Sequence, residues 1–439
     1  MRNEATPYCH YSWKNRNPKK GGKSMRLHVK SVGMLAAIAG VSIVSHCTAA
    51  ESPWSFSPGL SMKETYDDNV FLQDKSDLAG KSSMVSSFTP SLSLGFQKTP
   101  VFKATLSYAP EFSFYHSSSS EDNIAHRGAF NLGGKSDATA WEVNNAIVGI
   151  DGENQGVTFL TAQGGDIPAI GGVPLRDRRD ATIYRNSAKV TQTLGSWFVR
   201  PVITSYVHDF KTRQSSTKGY ENYIDRSDVN GGLDVGKEVL TKTWLVLGYR
   251  YGDQHQGERL GVASPYSSRY HRILVGAEGT PTDWLKLNAQ AGPDIRSFDE
   301  AGLPATFDKD ELLWYVDASA TLTLGKRDAI TVMVTRYEQP AFASHSMYED
   351  IVYSANWKHQ VTTQLAATLG MKCYEGEWQA PVMRDDWIYT PSAGVAYTFN
   401  KHLVADLVYS YDKAKSEIPE TSGREFTRNL ISLGAKYIF

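Results

Sequence analysis

The chain is poor in cysteine, in long apolar runs and in excess charge, and each shortage excludes a class of protein. Three cysteines stand in 439 residues. Cys9 and Cys47 fall within the first fifty, so Cys373 is alone in the remainder and no intrachain disulfide can staple it. No window approaches the roughly 18 apolar residues of a spanning helix, and the mean hydropathy is -0.38. A helical membrane protein is excluded. The formal charge of -1 leaves no basic footprint for nucleic acid. HExxH and CxxC are missing, so no metal and no cofactor is expected. Aromatic residues, by contrast, are abundant: 23 Tyr, 17 Phe and 10 Trp. Many aromatics with low hydropathy suit a soluble all-β protein or a water-filled membrane barrel.

The first fifty residues read as a leader. Residues 1–24 are polar and basic and read as an over-extended or disordered N-terminus. Met25 opens a second start, with Arg26 and Lys30 ahead of an apolar stretch from Val32 to Val44. Thr48-Ala49-Ala50 supplies small residues for cleavage. Residues 25–50 therefore read as a secretory signal peptide. Lipidation at Cys47 fits less well, because His46 stands where a small residue is needed. Residues 51–439 then form one domain. With eight Lys/Arg and one acid removed, 38 basic and 46 acidic side chains remain, a formal charge of -8.

That domain alternates. Met84, Ser86, Phe88, Leu92, Leu94 and Phe96 share one face of a strand; Ser87, Thr89, Ser91 and Ser93 share the other. Phe102, Ala104, Leu106, Tyr108, Phe112 and Phe114 repeat the pattern against Lys103, Thr105, Ser107 and Glu111. The periodic segments exceed the usual globular strand of about 5–6 residues and suit tilted bilayer-crossing strands. Short connections fall near 97–100, 135–139, 194–196, 237–242, 279–283, 325–328, 358–362 and 399–402. Longer ones fall near 73–82, 117–124, 154–180, 214–224, 257–267, 300–309, 340–347, 376–385 and 415–424. Nine long and eight short connections join 18 strands, within a range of 16–18. The expectation is an all-β, transmembrane antiparallel β-barrel in the bacterial outer membrane.

The last strand alternates Ile431, Leu433, Ala435, Tyr437 and Phe439. It looks like the closing strand by which such barrels are recognised, so Tyr437 and Phe439 are the expected assembly signal and the barrel-assembly machinery an expected partner. The opening Phe56-Ser57-Pro58-Gly59-Leu60, then Glu64-Thr65-Tyr66-Asp67-Asp68-Asn69-Val70-Phe71, resembles the β-barrel porin 2 family of outer-membrane proteins. The resemblance implies a porin-like barrel, with an association to surface polysaccharide systems as an alternative.

A register with apolar side chains toward outer-membrane lipid turns Lys103, Glu111, Arg200, His208, Arg250, Lys286, Asp317, Asp406, Asp412 and Lys436 inward. These are the candidate lumen-lining residues. Trp54, Trp141, Trp197, Trp244, Trp284, Trp357, Trp387 and Tyr437 are expected in interfacial girdles. The longest external loop, 154–180, carries Asp166, Arg176, Arg178 and Arg179 and is the candidate constriction. No catalytic constellation is expected: His208 and Asp209 are adjacent in a strand and point to opposite faces. His116 merely precedes a serine run. The expected function is passive passage of small hydrophilic solutes, with homo-oligomerisation possible. The alternatives are a polysaccharide-export barrel, a rim-active enzyme and a structural anchor.

Overall fold

The computed structural model describes residues 52–439 apart from 76, 78, 100, 153–180, 212–223, 259–260, 299–301, 342–344, 381–382 and 419–424. Eighteen strands make up these residues almost entirely. The first nine are β1 (Trp54–Asp67), β2 (Ser83–Thr99), β3 (Phe102–Tyr115), β4 (Asn123–Lys135), β5 (Thr139–Gly152), β6 (Ala181–Leu194), β7 (Trp197–Phe210), β8 (Arg226–Leu240) and β9 (Thr243–Gln256). The others are β10 (Ser268–Thr282), β11 (Leu285–Phe298), β12 (Asp310–Leu324), β13 (Asp328–Pro340), β14 (Met347–Gln360), β15 (Leu365–Trp378), β16 (Arg384–Thr398), β17 (Leu403–Ser416) and β18 (Phe426–Ile438). Each pairs antiparallel with the next, and β1 pairs with β18, which closes the sheet into a barrel. Closure removes the free sheet edges that hydrocarbon could not satisfy.

Strand β9 shows why the sequence pattern produces this wall. Leu245, Leu247, Tyr249 and Tyr251 are 44–57% exposed, whereas Val246, Gly248, Arg250, Gly252 and Gln254 between them are buried. The exposed face is the apolar one. Leu106, Ile203, Val275, Leu369, Leu407 and Leu433 repeat it around the circumference. Such a surface in water would forfeit about 25 cal/mol per Å2. In lipid it costs nothing, and the closed barrel is one of the bacterial outer membrane. Among the described residues no helix is long and apolar enough to cross a membrane. Eight connections at one end are short. The nine longer ones lie at the other, external end.

Outward aromatic rings mark the short-turn boundary. Trp54 meets Phe96 at 4.7 Å between centroids, Phe96 meets Phe102 at 6.0 Å, and Phe102 meets Trp141 at 6.1 Å. Tyr397 and Phe399 continue the belt, as do Tyr437 and Phe439, at 4.8 and 4.9 Å. Trp197 and Trp357 also face outward at this end, Trp284 sits in the turn, and Trp387 faces outward at the opposite, external end. Trp244 departs from the girdle. It shares the face of Val246 and Arg250, points inward, and packs against Phe198 at 6.4 Å.

Among the described residues, two external segments leave the wall and enter the lumen. The β1–β2 connection buries Val70, Phe71 and Leu72. Leu72, at φ +47°, packs with Val352, Tyr374, Ile388, Ala414 and Phe426 on the inner face of β14–β18. Truncation to Leu72→Ala removes a fully buried side chain, for a cost of about 2–5 kcal/mol to the docking of that loop. Faster proteolytic cleavage within residues 68–82, with the barrel still folded, is the expected result.

The second segment is the external end of the β13–β14 hairpin. The β12–β13 ladder stops at Val316↔Arg336, while β13 continues to pair with β14 as far as Pro340↔Met347. Both faces of that end are buried: Glu338, Gln339 and Pro340 on β13, and Met347 to Val352 on β14. The cause lies in the side chains. Arg336, Glu338 and Glu349 carry the parity that lower in these strands faces lipid, as Val332 and Tyr353 do. Kept in the wall, they would press charge against the membrane, which costs roughly 2–4 kcal/mol for Lys or Arg at midplane. Turning inward gives each a polar partner.

Candidate constriction in the lumen

Arginines and glutamines tie the hairpin end to the inner face of β8, β9 and β11. Arg296 of β11 is fully buried. Its Nε lies 2.9 Å from Glu338 Oε2, and its Nη1 donates to Gln254 Oε1 at 2.6 Å and to Ser268 Oγ at 3.2 Å. Its Nη2 donates to Asp294 and to the Glu338 carbonyl at 3.1 and 3.2 Å. Arg226 of β8 donates to the Pro340 carbonyl at 2.9 Å and to the Tyr348 hydroxyl at 3.1 Å. Gln254 and Gln256 of β9 donate to the carbonyls of Glu338 and Ala341, at 3.0 and 2.5 Å. Gln379 and Gln339 complete the set, donating to Glu338 and Asp350 at 2.6 Å each. Buried carboxylates and guanidiniums held this way are expensive to separate, so the segment is a fixed obstruction.

An arginine projects inward from each of five consecutive strands: Arg200, Arg226, Arg250, Arg272 and Arg296. Asp234 accepts from Arg200 at 2.9 Å and lies 2.7 Å from Arg250. Glu278 takes both Nη groups of Arg200, at 2.8 and 2.9 Å. Arg272 pairs with Asp294 at 2.7 Å and lies over Tyr270 and Tyr315 at 4.0 and 4.4 Å. Planar guanidiniums suit both uses, forked pairing and ring stacking.

Between the hairpin and β6–β9 remains a space of about 320 Å3. Arg185, Tyr206, Arg226, Asp228, Tyr337 and Gln339 line it. The Tyr270 hydroxyl and Gln254 Nε2 hold Asp228, each at 2.7 Å, so this carboxylate is oriented rather than free. Above it, burial pushes the Tyr266 phenol of the β9–β10 loop up from its ordinary pKa. Its ring meets Phe307 edge-on at 5.1 Å, within a cluster that includes Phe298, Met347 and Ala380.

Strand register places Lys103, Glu111, Arg200, His208, Arg250, Lys286, Asp317, Asp406, Asp412 and Lys436 on the inward parity of their strands. It brings Arg200 and Arg250 together through Asp234. Glu111 pairs with Arg127 at 2.9 Å, and Asp412 lies 3.8 Å from Arg428. Lys103, Lys286, Asp317 and Lys436 have no ion pair among the described residues. His208 is 2% exposed and stacks on Phe210 at 4.0 Å, so it is walled off from open water. Tyr437 and Phe439 both point outward at the short-turn rim. Asp166, Arg176, Arg178 and Arg179 lie outside the described residues.

Sequence reasoning missed the hairpin, whose connection reads as one ordinary loop among nine. A signal existed. Glu349 and Asp350 are adjacent acids in a strand, so one must occupy the lipid parity unless both faces are covered.

No family model matches the chain, that of the β-barrel porin 2 family included, and no curated protein matches it in sequence. Among solved structures it is similar to the outer membrane protein opdK from Pseudomonas aeruginosa, at 11% identity over 88% of this chain and 99% of that chain, with a TM-score of 0.43. OccAB4 of Acinetobacter baumannii gives 11% identity over 88% and 98%, also at 0.43. A loop L8 deletion mutant of OmpT, an outer membrane protein of Vibrio cholerae, gives 12% over 88% and 100%, at 0.39. These likenesses are distant; the closed barrel rests on its own strand pairing.

Proposed function

We propose that this protein is a porin-like channel through which small hydrophilic solutes cross the outer membrane passively. One observation carries the reading: an 18-strand barrel with a polar interior, narrowed by a hairpin that is folded inward and anchored to β8, β9 and β11. Barrels of 16–18 strands enclose an aqueous lumen, and fixed charges along it bias what passes. The anchored narrowing favours small solutes over a polymer. Lys103, Glu111, Lys286, Asp317, Asp406 and Lys436 would then set the field along the water-filled wall, with Arg200 and Arg250 held by Asp234 below the narrowing. On the same reading Tyr437 and Phe439 are the rim contacts for the assembly machinery, as their resemblance to a closing strand implies.

The test is reconstitution. Planar bilayers are expected to show stepwise ion conductance. Liposomes are expected to swell with monosaccharides and not with large oligosaccharides. A protein that inserts and shows heat-modifiable migration, yet neither conducts nor admits sugars, would make the barrel an anchor.

A further inference from the structure

At the external end the wall has an open seam. Strand β12 extends to Asp310, but its ladder to β13 ends at Val316↔Arg336. Asp310 to Tyr315 pair with β11 on one side, from Ser297↔Asp310 to Gly292↔Tyr315, and with no strand on the other among the described residues. The hairpin that would have covered this edge is anchored inside the lumen. A notch is left in the wall between β12 and the hairpin.

The notch has an apolar lip and a polar flank. Leu312 and Trp314 point outward from the unpaired half of β12 and are 68% and 58% exposed. On the other side Arg336 Nη2 bonds Glu349 and lies 3.7 Å from Glu377. The Arg336 and Glu377 side chains are 34% and 41% exposed. Arg336 Nε is buried and has no acceptor among the described residues.

Height in the membrane follows from strand geometry. Trp314 stands ten residues above Leu324 at the short-turn end of β12. At about 3.4 Å per residue and about 40° of tilt, this is about 26 Å along the membrane normal, near the roughly 25 Å apolar band. The notch therefore meets the outer leaflet at its headgroup level. Unpaired strand amides and carbonyls there need polar partners, which hydrocarbon does not supply. On β13 the notch and the space beside the hairpin are one residue apart: Arg336 stands in the first and Tyr337 lines the second.

We propose that this notch binds the hydroxylated headgroup of an uncharged single-chain amphiphile of the outer leaflet. The chain lies along Leu312 and Trp314. Hydroxyls both donate and accept, which suits the open β12 edge, the exposed part of the Arg336 side chain and the Glu377 carboxylate together. An anionic headgroup is disfavoured, because two carboxylates stand against one guanidinium. A lip of two side chains on one strand offers a bed for one chain. This goes beyond the channel reading and does not depend on it.

The test uses the full barrel in lipid nanodiscs and a dodecyl maltoside with a photoreactive group on its chain. Labelling is expected to concentrate on residues 310–316, 336–341 and 345–353. Dodecyl maltoside is expected to compete, and maltose or dodecyl phosphate far less. The double variant Leu312→Ala, Trp314→Ala keeps the wall apolar and is expected to lower labelling about tenfold, the equivalent of about 1.4 kcal/mol. The control Leu245→Ala, Leu247→Ala alters equally exposed wall residues and is expected to leave it unchanged. Labels spread evenly around the barrel, equal loss in the control, or equal competition by dodecyl phosphate would each overturn the proposal. Because labelling is read without conductance, a barrel that fails to conduct still tests the notch.

Discussion

Replacing Arg296 with alanine is expected to widen the channel. The side chain is fully buried and bonds Glu338, Asp294, Gln254 and Ser268 at once. Its loss leaves Glu338 and Asp294 buried with too few partners. Breaking one side of such an arrangement costs about 3–5 kcal/mol. At 1.4 kcal/mol per tenfold, that shifts the docking of the hairpin end by about two to three and a half orders of magnitude. The strand ladders do not use this side chain, so the barrel stays closed and folded. Single-channel recordings are expected to show a larger conductance with added transitions, from a hairpin that leaves the lumen part of the time. Arg296→Lys keeps the charge but not the planar fork, and falls between the two. Conductance equal to the parent in Arg296→Ala would show that the hairpin does not limit the passage.

The second large effect belongs to the closing seam. Strand β1 pairs with β2 over Trp54–Asp67 but with β18 only over Gly59–Asp67. Side chains reinforce the external half of the shorter ladder. Arg428 donates to both oxygens of Asp67, at 3.0 and 2.7 Å, in a buried fork. Asn429 Nδ2 donates to Asp68 at 2.6 Å, and the Thr65 and Ser432 hydroxyls meet at 2.9 Å. Arg428→Ala leaves Asp67 and Asp412 as buried carboxylates without their cation, again at a cost of about 3–5 kcal/mol. A lower guanidinium midpoint and a lower temperature for the shift from folded to unfolded mobility are the expected readings. The double variant Asp67→Asn, Arg428→Met removes both charges and is expected to regain part of the loss, because the desolvation penalty goes with them. A single variant as stable as the parent would mean that backbone pairing alone holds the seam.

Much of the fold was legible because its rule is local. Phe102 to Phe114 and Trp387 to Phe399 alternate within a dozen residues. Turn residues such as Gly195, at φ +63°, and Gly325, at φ +65°, mark reversals where a side chain would be strained. From these, the strand number, the lipid parity and the inward positions of Arg200 or Asp317 can be read. Trp244 was misplaced for a related reason. It lies near a strand end, as girdle residues do, and only the register with Glu278 across β10 fixes its face.

The constriction was less legible, since what decides it is distant in sequence. Arg226 meets Pro340 across 114 positions, and Gln254 meets Glu338 across 84. Nothing near residue 338 announces a partner on β8, β9 or β11. The unmatched charges at Glu338, Glu349 and Asp350 say that this segment cannot lie against lipid, without saying where it goes.

The sequence by itself therefore determined a closed barrel, its two faces and its strand count, because side-chain alternation is imposed by the geometry of a single strand. Only the tertiary structure decided which segments enter the lumen, how the arginines are neutralised, and that the wall is left open beside β12. Those outcomes turn on buried charges finding partners on strands distant in sequence, a condition set by the assembled wall and not by any one strand.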